Sequence, residues 1–137
     1  MSDLRNSRLI RLCRARDALR NRHSETFSID VVAREAEMSV YHFIRTFKAT
    51  FGKTPHEFLI EVRLNRAKQL LIADNCSITD ICMEVGYSSL GSFSDLFSRH
   101  VGIAPSAYRR QSRSLVQVPG TISRQFVPYC FALMYAG

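Results

Sequence analysis

The apolar positions of this chain fall into short helical stripes, and the stripes come in pairs. Ile29, Val32, Ala33 and Ala36 recur at steps of three and four, on one face of a short helix that Ser28 can cap. Residues 36–39 form a turn, and Ser39 can cap a second helix. Phe43 and Phe47 stand one helical turn apart there, Phe51 continues their line, and Tyr41, Ile44, Arg45 and Lys48 occupy the opposite face. The same grammar returns later. Ser77-Ile78-Thr79-Asp80 opens a helix in capping-box style, with Ile78, Ile81, Cys82 and Val85 on its apolar face. Gly86-Tyr87 supplies the turn, Gly86 being suited to a left-handed backbone. The next helix, about 89–100, turns Phe93, Phe97 and Val101 inward.

These two passages form an internal repeat. At one constant offset Ser28 meets Ser77, Ile29 meets Ile78, Val32 meets Ile81 and Ala33 meets Cys82. Past the turn the offset grows by one residue, and Phe43 meets Phe93, Phe47 meets Phe97, Gly52 meets Gly102 and Pro55 meets Pro105. An ordered set of small, apolar and turn residues of this length is poorly explained by chance. Each copy predicts a helix-turn-helix.

Between the copies, Thr54-Pro55-His56-Glu57 is a strong helix start: a capping Thr, Pro in the first turn and Glu three residues after the cap. Phe58, Val62, Ala67, Leu70 and Leu71 follow at helical spacing. A helix over 56–73 is about 27 Å long at about 1.5 Å per residue, near the ~34 Å repeat between successive major-groove faces of B-DNA. Ahead of the first copy, 4–21 predicts an amphipathic helix with Leu4, Ile10, Leu12 and Leu19 against an arginine-rich remainder. A last short helix is expected from Ala104-Pro105 to near Arg110. Beyond it, 112–137 mixes Val116, Val118, Ile122, Phe126, Val127, Tyr129 and Phe131 with Pro119, Gly120 and Pro128, the composition of extended segments and turns. The expected architecture is all-α: seven helices, two helix-turn-helix subdomains (1–53 and 74–111), a linker helix (54–73) and an irregular C-terminal extension (112–137).

Composition narrows the chemistry. With 137 residues and 46% hydrophobic positions the chain can bury a core, and a net charge of +7 favours a polyanionic partner. Charge by itself gives no specificity. The four cysteines (Cys13, Cys76, Cys82, Cys130) form no C-x-x-C, and the four histidines complete no zinc pattern, so reduced, structural thiols are expected and no metal or cofactor. Arginines at 5, 8, 11 and 14 interrupt any secretory apolar run, and no stretch reaches membrane-spanning length. Ser, His and Asp occur in no catalytic arrangement and there is no phosphate-binding glycine loop, which disfavours an enzyme. The aromatic residues Phe43, Phe47, Phe93, Phe97 and Tyr108 fall on apolar stripes, as core residues do, rather than forming a ligand box.

Residues 63–71 (Arg-Leu-Asn-Arg-Ala-Lys-Gln-Leu-Leu), Ser77-Ile78-Thr79-Asp80-Ile81, Val85-Gly86-Tyr87-Ser88-Ser89, Phe93-Ser94 with Phe97, and residues 102–109 together closely resemble the signature of the AraC/XylS family of bacterial transcription regulators. The resemblance covers about 5–111. It implies a two-lobed, seven-helix DNA-binding domain, usually an activator, that binds an asymmetric site through two successive major grooves. Met1 sits directly before the first helix, where most members carry an effector-sensing domain. The expectation is a stand-alone member without a small-molecule effector, with a truncated chain as the competing explanation. RNA polymerase is the second expected partner. The expected setting is the bacterial cytoplasm, associated with the nucleoid. A monomer on DNA is expected, with tail-mediated dimerisation as the alternative.

The resemblance places Val40, Tyr41, Ile44 and Arg45 at base-facing positions in the first unit. Arg45 is the strongest candidate, because a guanidinium bonds guanine O6 and N7 together. Tyr41 suits a thymine methyl, a base stack or a phosphate. The matching positions in the second unit are Leu90, Gly91, Ser94 and Asp95. Many relatives carry a basic residue at the place of Asp95, whose carboxylate is repelled by phosphates but can accept from cytosine N4. The first unit is therefore expected to supply most base readout and the second to act through backbone contacts and fit. Phosphate contacts are expected from Lys48, Lys53, Arg63, Arg99 and Arg109, with helix-start N–H groups near Thr54 and Ser77. Two other readings compete: a DNA-bound antagonist without activation, and a helical protein–protein interaction module. The second has the recognition faces meet an acidic partner; a solvated face that reads nothing is instead expected to carry an ion-paired Arg45.

Overall fold

The structure, a computed structural model, describes residues 2–24, 28–73 and 75–116. They form α1 (Ser2–Asn21), α2 (Ile29–Glu35), α3 (Val40–Phe51), α4 (Pro55–Ala73), α5 (Ile78–Glu84), α6 (Leu90–Val101) and α7 (Pro105–Val116). No strand occurs among the described residues, and the seven-helix, all-α architecture expected from the sequence is the one observed. α7 continues to Val116 rather than ending near Arg110, so the first residues assigned to the extension are helical. The rest of that extension, Cys130 included, lies outside the described residues. No helix among the described residues is long and apolar enough to cross a membrane.

The chain divides into two compact units, Met1–Arg63 and Leu64–Gly137, with the division inside α4. In the first unit Leu12, Ala15, Leu19, Val32, Ala33, Ala36, Phe43 and Phe47 form one buried cluster, with Ile29, Met38, Val40, Phe51 and Phe58 packed against it. Each fully buried leucine, valine or phenylalanine among them is worth about 1.5–3 kcal/mol. In the second unit Ile81, Cys82, Val85, Phe93 and Phe97 are fully buried, with Leu70, Leu71 and Tyr108 buried as well. Burial pushes the Cys82 thiol up from its ordinary range. Its Sγ donates to the Tyr87 carbonyl at 3.6 Å.

Local chemistry sets the helix limits. The hydroxyls of Ser28, Ser39, Ser77 and Ser89 accept the backbone N–H of Asp30, His42, Asp80 and Ser92, capping α2, α3, α5 and α6. At the start of α4 the capping box closes in both directions. Thr54 N donates to Glu57 Oε2 at 2.9 Å, and Glu57 N donates to Thr54 Oγ1 at 3.2 Å. The Thr54 N–H holds the exposed Glu57 carboxyl below the usual carboxylate range. The folded-state pKa is depressed, so this cap is complete above the ordinary carboxylate pKa and is lost as pH falls through the lowered one. The two turns use equivalent left-handed residues, Gly86 with φ 97° and Glu37 with φ 57°. Glycine pays nothing for that conformation, whereas Glu37 is there because the turn requires it.

One expected face is corrected. On α1 the buried residues are Leu12, Ala15 and Leu19, whereas Leu4 is 76% exposed and Ile10 47% exposed. Steps of 100° per residue put Ile10 almost opposite Leu12. The inward line, followed back toward the N-terminus, meets Arg8 and Arg5, both exposed. Arg16 and Arg20 instead lie over the rings of Phe51 and Phe58, at 5.0 and 5.7 Å from the ring centres. Part of the arginine-rich remainder thus packs on aromatic faces.

The repeat is longer in structure than the helix-turn-helix core. Leu12, Ala15 and Leu19 on α1 have the spacing of Leu64, Ala67 and Leu71 on α4, and both sets are buried. Phe58 on α4 packs edge-on to Phe47 with ring centres 5.8 Å apart, and Tyr108 on α7 does the same to Phe97 at 5.6 Å. Each unit is therefore built from an opening helix, a helix-turn-helix and a closing helix. α4 closes the first unit with its N-terminal half and opens the second with its C-terminal half.

Candidate nucleic-acid interface

In each unit the second helix of the pair has one buried and one open face. Phe43 and Phe47 anchor α3, and Phe93 and Phe97 anchor α6; all four are fully buried. Ring contacts to the closing helices, Phe47–Phe58 (5.8 Å) and Phe97–Tyr108 (5.6 Å), fix the rotation of each helix. What remains outward follows from helical geometry.

On α3 the outward face carries Tyr41, 71% exposed, with Arg45 and Lys48 also exposed and Ile44 half-buried. Val40 is half-buried and rests against the core cluster, so only part of it is open. The Arg45 guanidinium lies over the Tyr41 ring, 5.4 Å from its centre, and its Nη1 is 3.5 Å from the Tyr41 hydroxyl. Among the described residues Arg45 has no carboxylate partner, unlike Arg11 with Glu37 or Arg22 with Glu35. An ion-paired Arg45, the mark of a merely solvated face, is not found among the described residues.

On α6 the matching face carries Leu90 (42% exposed), exposed Gly91, half-buried Ser94 and exposed Asp95. A Cβ added to Gly91 would meet only the Ser89 hydroxyl, at 3.9 Å. Packing does not demand glycine there. These four positions offer apolar surface, a hydroxyl and one carboxylate, and exposed Arg99 follows one turn beyond Asp95.

The residues expected at phosphates separate into three kinds. Lys48 and Arg99 are exposed at the ends of α3 and α6. Lys53 is ion-paired with Glu61, which shares its charge. Thr54 and Ser77 sit at helix starts, where their hydroxyls are already capping. Arg63 and Arg109 take a different role from the one expected. Arg63 Nε donates to the His23 carbonyl at 2.7 Å, just past the end of α1. Arg109 donates from Nε to the Leu71 carbonyl at 3.1 Å and from Nη2 to the Cys76 carbonyl at 2.6 Å. Both side chains are half-buried clamps on the exit of each unit's opening helix, where carbonyls lack intrahelical donors. Both helices that carry these clamps are expected from the sequence, but their role in closing each unit emerges only from the longer repeat. Among the described residues no group of His, Cys, Asp and Glu is arranged to hold a metal.

Residues 32–111 match the family model of a helix-turn-helix domain. The MmsAB operon regulatory protein of Pseudomonas aeruginosa is 34% identical over 85 residues, which is 62% of this chain and 28% of that protein. The lactose operon transcription activator of Staphylococcus xylosus is 33% identical over 93 residues, 68% of this chain and 33% of that protein. The chain thus spans about a third of the length of these curated relatives. Among solved structures, the DNA-binding domain of the global transcriptional factor AdpA, crystallised with a target DNA, matches with a TM-score of 0.72 at 28% identity, covering 75% of this chain and 93% of that one. A transcriptional regulator with an AraC-type DNA-binding domain from Chromobacterium violaceum matches with a TM-score of 0.69 at 32% identity, covering 82% and 96%.

Proposed function

Because this chain belongs to the AraC/XylS family of helix-turn-helix DNA-binding transcription regulators, we propose that it activates transcription from an asymmetric site, with α3 and α6 entering successive major grooves. The observation that carries the base-reading part is the open face of α3, where Arg45 stands exposed on the ring of Tyr41 with no carboxylate partner among the described residues. An unneutralised guanidinium on an exposed helix face is the group that best recognises guanine in the major groove. The two-groove part rests on the family and on the length of α4, about 28 Å for its 19 residues.

In this reading Ile44 and Arg45, with the open edge of Val40, meet bases in one groove, and Tyr41 stands beside Arg45 on the same face. Leu90, Gly91, Ser94 and Asp95 meet the other, with shape and backbone fit carrying more than hydrogen bonds. Lys48 and Arg99 contact phosphates, joined by Lys53 when it leaves Glu61, and by N–H groups at the starts of α4 and α5 near Thr54 and Ser77. Activation is supported by the named role of the Staphylococcus xylosus relative. It makes RNA polymerase the second partner and the bacterial cytoplasm the setting.

Withdrawing Arg63 and Arg109 from the phosphate set changes a measurable quantity. Five neutralised phosphates give a log–log salt slope of about −4 to −5, whereas three cations (Lys48, Lys53, Arg99) give about −3. A mobility-shift titration of the 137-residue chain over a range of salt, with excess random competitor, should give a retarded complex that survives competition and a slope near −3. No retarded complex at low salt would remove the DNA reading.

A further inference from the structure

We propose that Tyr41 is a positioning residue for Arg45, so that the two side chains select one base pair together; this rests on the DNA-reading function proposed above. A tyrosine and an arginine four residues apart on a helix face can act as independent readers, each on its own base. The geometry of α3 favours a single unit. The Arg45 guanidinium carbon is 5.4 Å from the centre of the Tyr41 ring, inside the range of a cation–ring interaction. Nη1 points to the Tyr41 hydroxyl at 3.5 Å, a long contact that orients more than it binds.

The consequence lies in which donors stay open. The ring lies against the guanidinium, and the hydroxyl is nearest to Nη1. The remaining edge, Nε with Nη2, presents two parallel N–H groups, the arrangement that meets O6 and N7 of one guanine. An arginine on an exposed helix face otherwise samples many rotamers and loses that freedom on binding. A ring that restrains it beforehand lowers that cost. Because the contact is made before DNA arrives, the ring face is occupied and is not offered to a base of its own.

The second unit supplies an internal comparison. The register that aligns Phe43 with Phe93 and Phe47 with Phe97 puts Gly91 at the place of Tyr41 and Asp95 at the place of Arg45. Both members of the pair are absent together, as expected if the ring has no use without the guanidinium.

The test is a double-mutant cycle in the 137-residue chain. Binding is measured for the unsubstituted chain, Tyr41→Phe, Tyr41→Ala, Arg45→Ala and the double Tyr41→Ala/Arg45→Ala, on a site selected from random DNA and on its single-base-pair variants. Both residues are exposed, so the circular-dichroism melting of every variant should match the parent. Tyr41→Ala is expected to weaken binding about three- to fivefold and to relax choice at the same base pair as Arg45→Ala. Tyr41→Phe, which keeps the ring, should stay within about twofold. The double variant should bind no more weakly than Arg45→Ala alone. Losses that multiply in the double variant, or relaxation at a different base pair, would make Tyr41 an independent reader and overturn the inference while leaving the DNA reading intact. Failure of the unsubstituted chain to enrich any sequence would overturn both.

Discussion

Phe47→Ala is expected to cost about 3–5 kcal/mol of folding stability, the range for deleting a buried aromatic ring. Phe47 is fully buried and touches the rings of Phe43, Phe51 and Phe58 at 5.6, 4.7 and 5.8 Å. These neighbours belong to α3 and α4, so one truncation removes the joint between the recognition helix and the helix that closes its unit. The surrounding residues are held by α1 and α2 and can collapse only partly into the space. Total stabilities of small proteins are about 5–15 kcal/mol, so the first unit would be left near its threshold. Urea denaturation followed by circular dichroism measures the loss. Phe51→Ala is the control, since Phe51 has the same chemistry but is half-buried, and it should lose clearly less. Equal losses for the two would contradict the core assignment.

Arg109→Ala should be the next most damaging change, costing about 2–4 kcal/mol. It removes a charged donor from two carbonyls, Leu71 at 3.1 Å and Cys76 at 2.6 Å. The first belongs to the last turn of α4, where a cation also complements the helix dipole. The second lies just ahead of α5. One planar side chain therefore fixes the path from α4 into the second helix-turn-helix. Arg109→Lys should recover less than half of the loss, because an ammonium on a single stem does not reproduce the fork that reaches both oxygens. Denaturation midpoints test this. A small loss for alanine, combined with a steep drop in DNA affinity of the folded protein, would return Arg109 to the phosphate set.

Most of the fold was legible in the chain because its units repeat. Ser28 with Ser77, Phe43 with Phe93 and Phe47 with Phe97 mark caps and inward stripes at matched positions, and periodicity then fixes the open face of each second helix. The misplaced features are those that periodicity does not govern. Leu4 and Ile10 are apolar, but no described residue buries them, so composition misassigned the face. The true stripe, Leu12-Ala15-Leu19, is only three alanine and leucine residues in an arginine-rich helix and stands out only beside Leu64-Ala67-Leu71. α7 extends to Val116 through Gln111, Ser112, Arg113 and Ser114, residues that end no helix but announce none. Glu37 adopts a left-handed backbone without the glycine that betrays its counterpart Gly86.

The candidate site was legible in the same uneven way. Helical spacing placed Tyr41, Arg45 and Lys48 outward, where the structure has them. Val40 leans on the core, because the first residue of α3 packs, half-buried, against the buried cluster of its unit. The roles of Arg63 and Arg109 were illegible because a guanidinium at a phosphate and one at a helix end have the same sequence signature. Only the positions of the His23, Leu71 and Cys76 carbonyls separate the two.

The claim on which the functional account turns is that α3 reads bases more than α6 does. Selection of bound sequences from a random double-stranded pool, by the unsubstituted chain and by Arg45→Ala and Asp95→Ala, tests it directly. The account predicts that Arg45→Ala erases a guanine preference in one half of the site, a loss of about 1–3 kcal/mol in discrimination, while Asp95→Ala leaves the other half nearly unchanged. Looser base choice in the second half-site after Asp95→Ala than in the first after Arg45→Ala would contradict it.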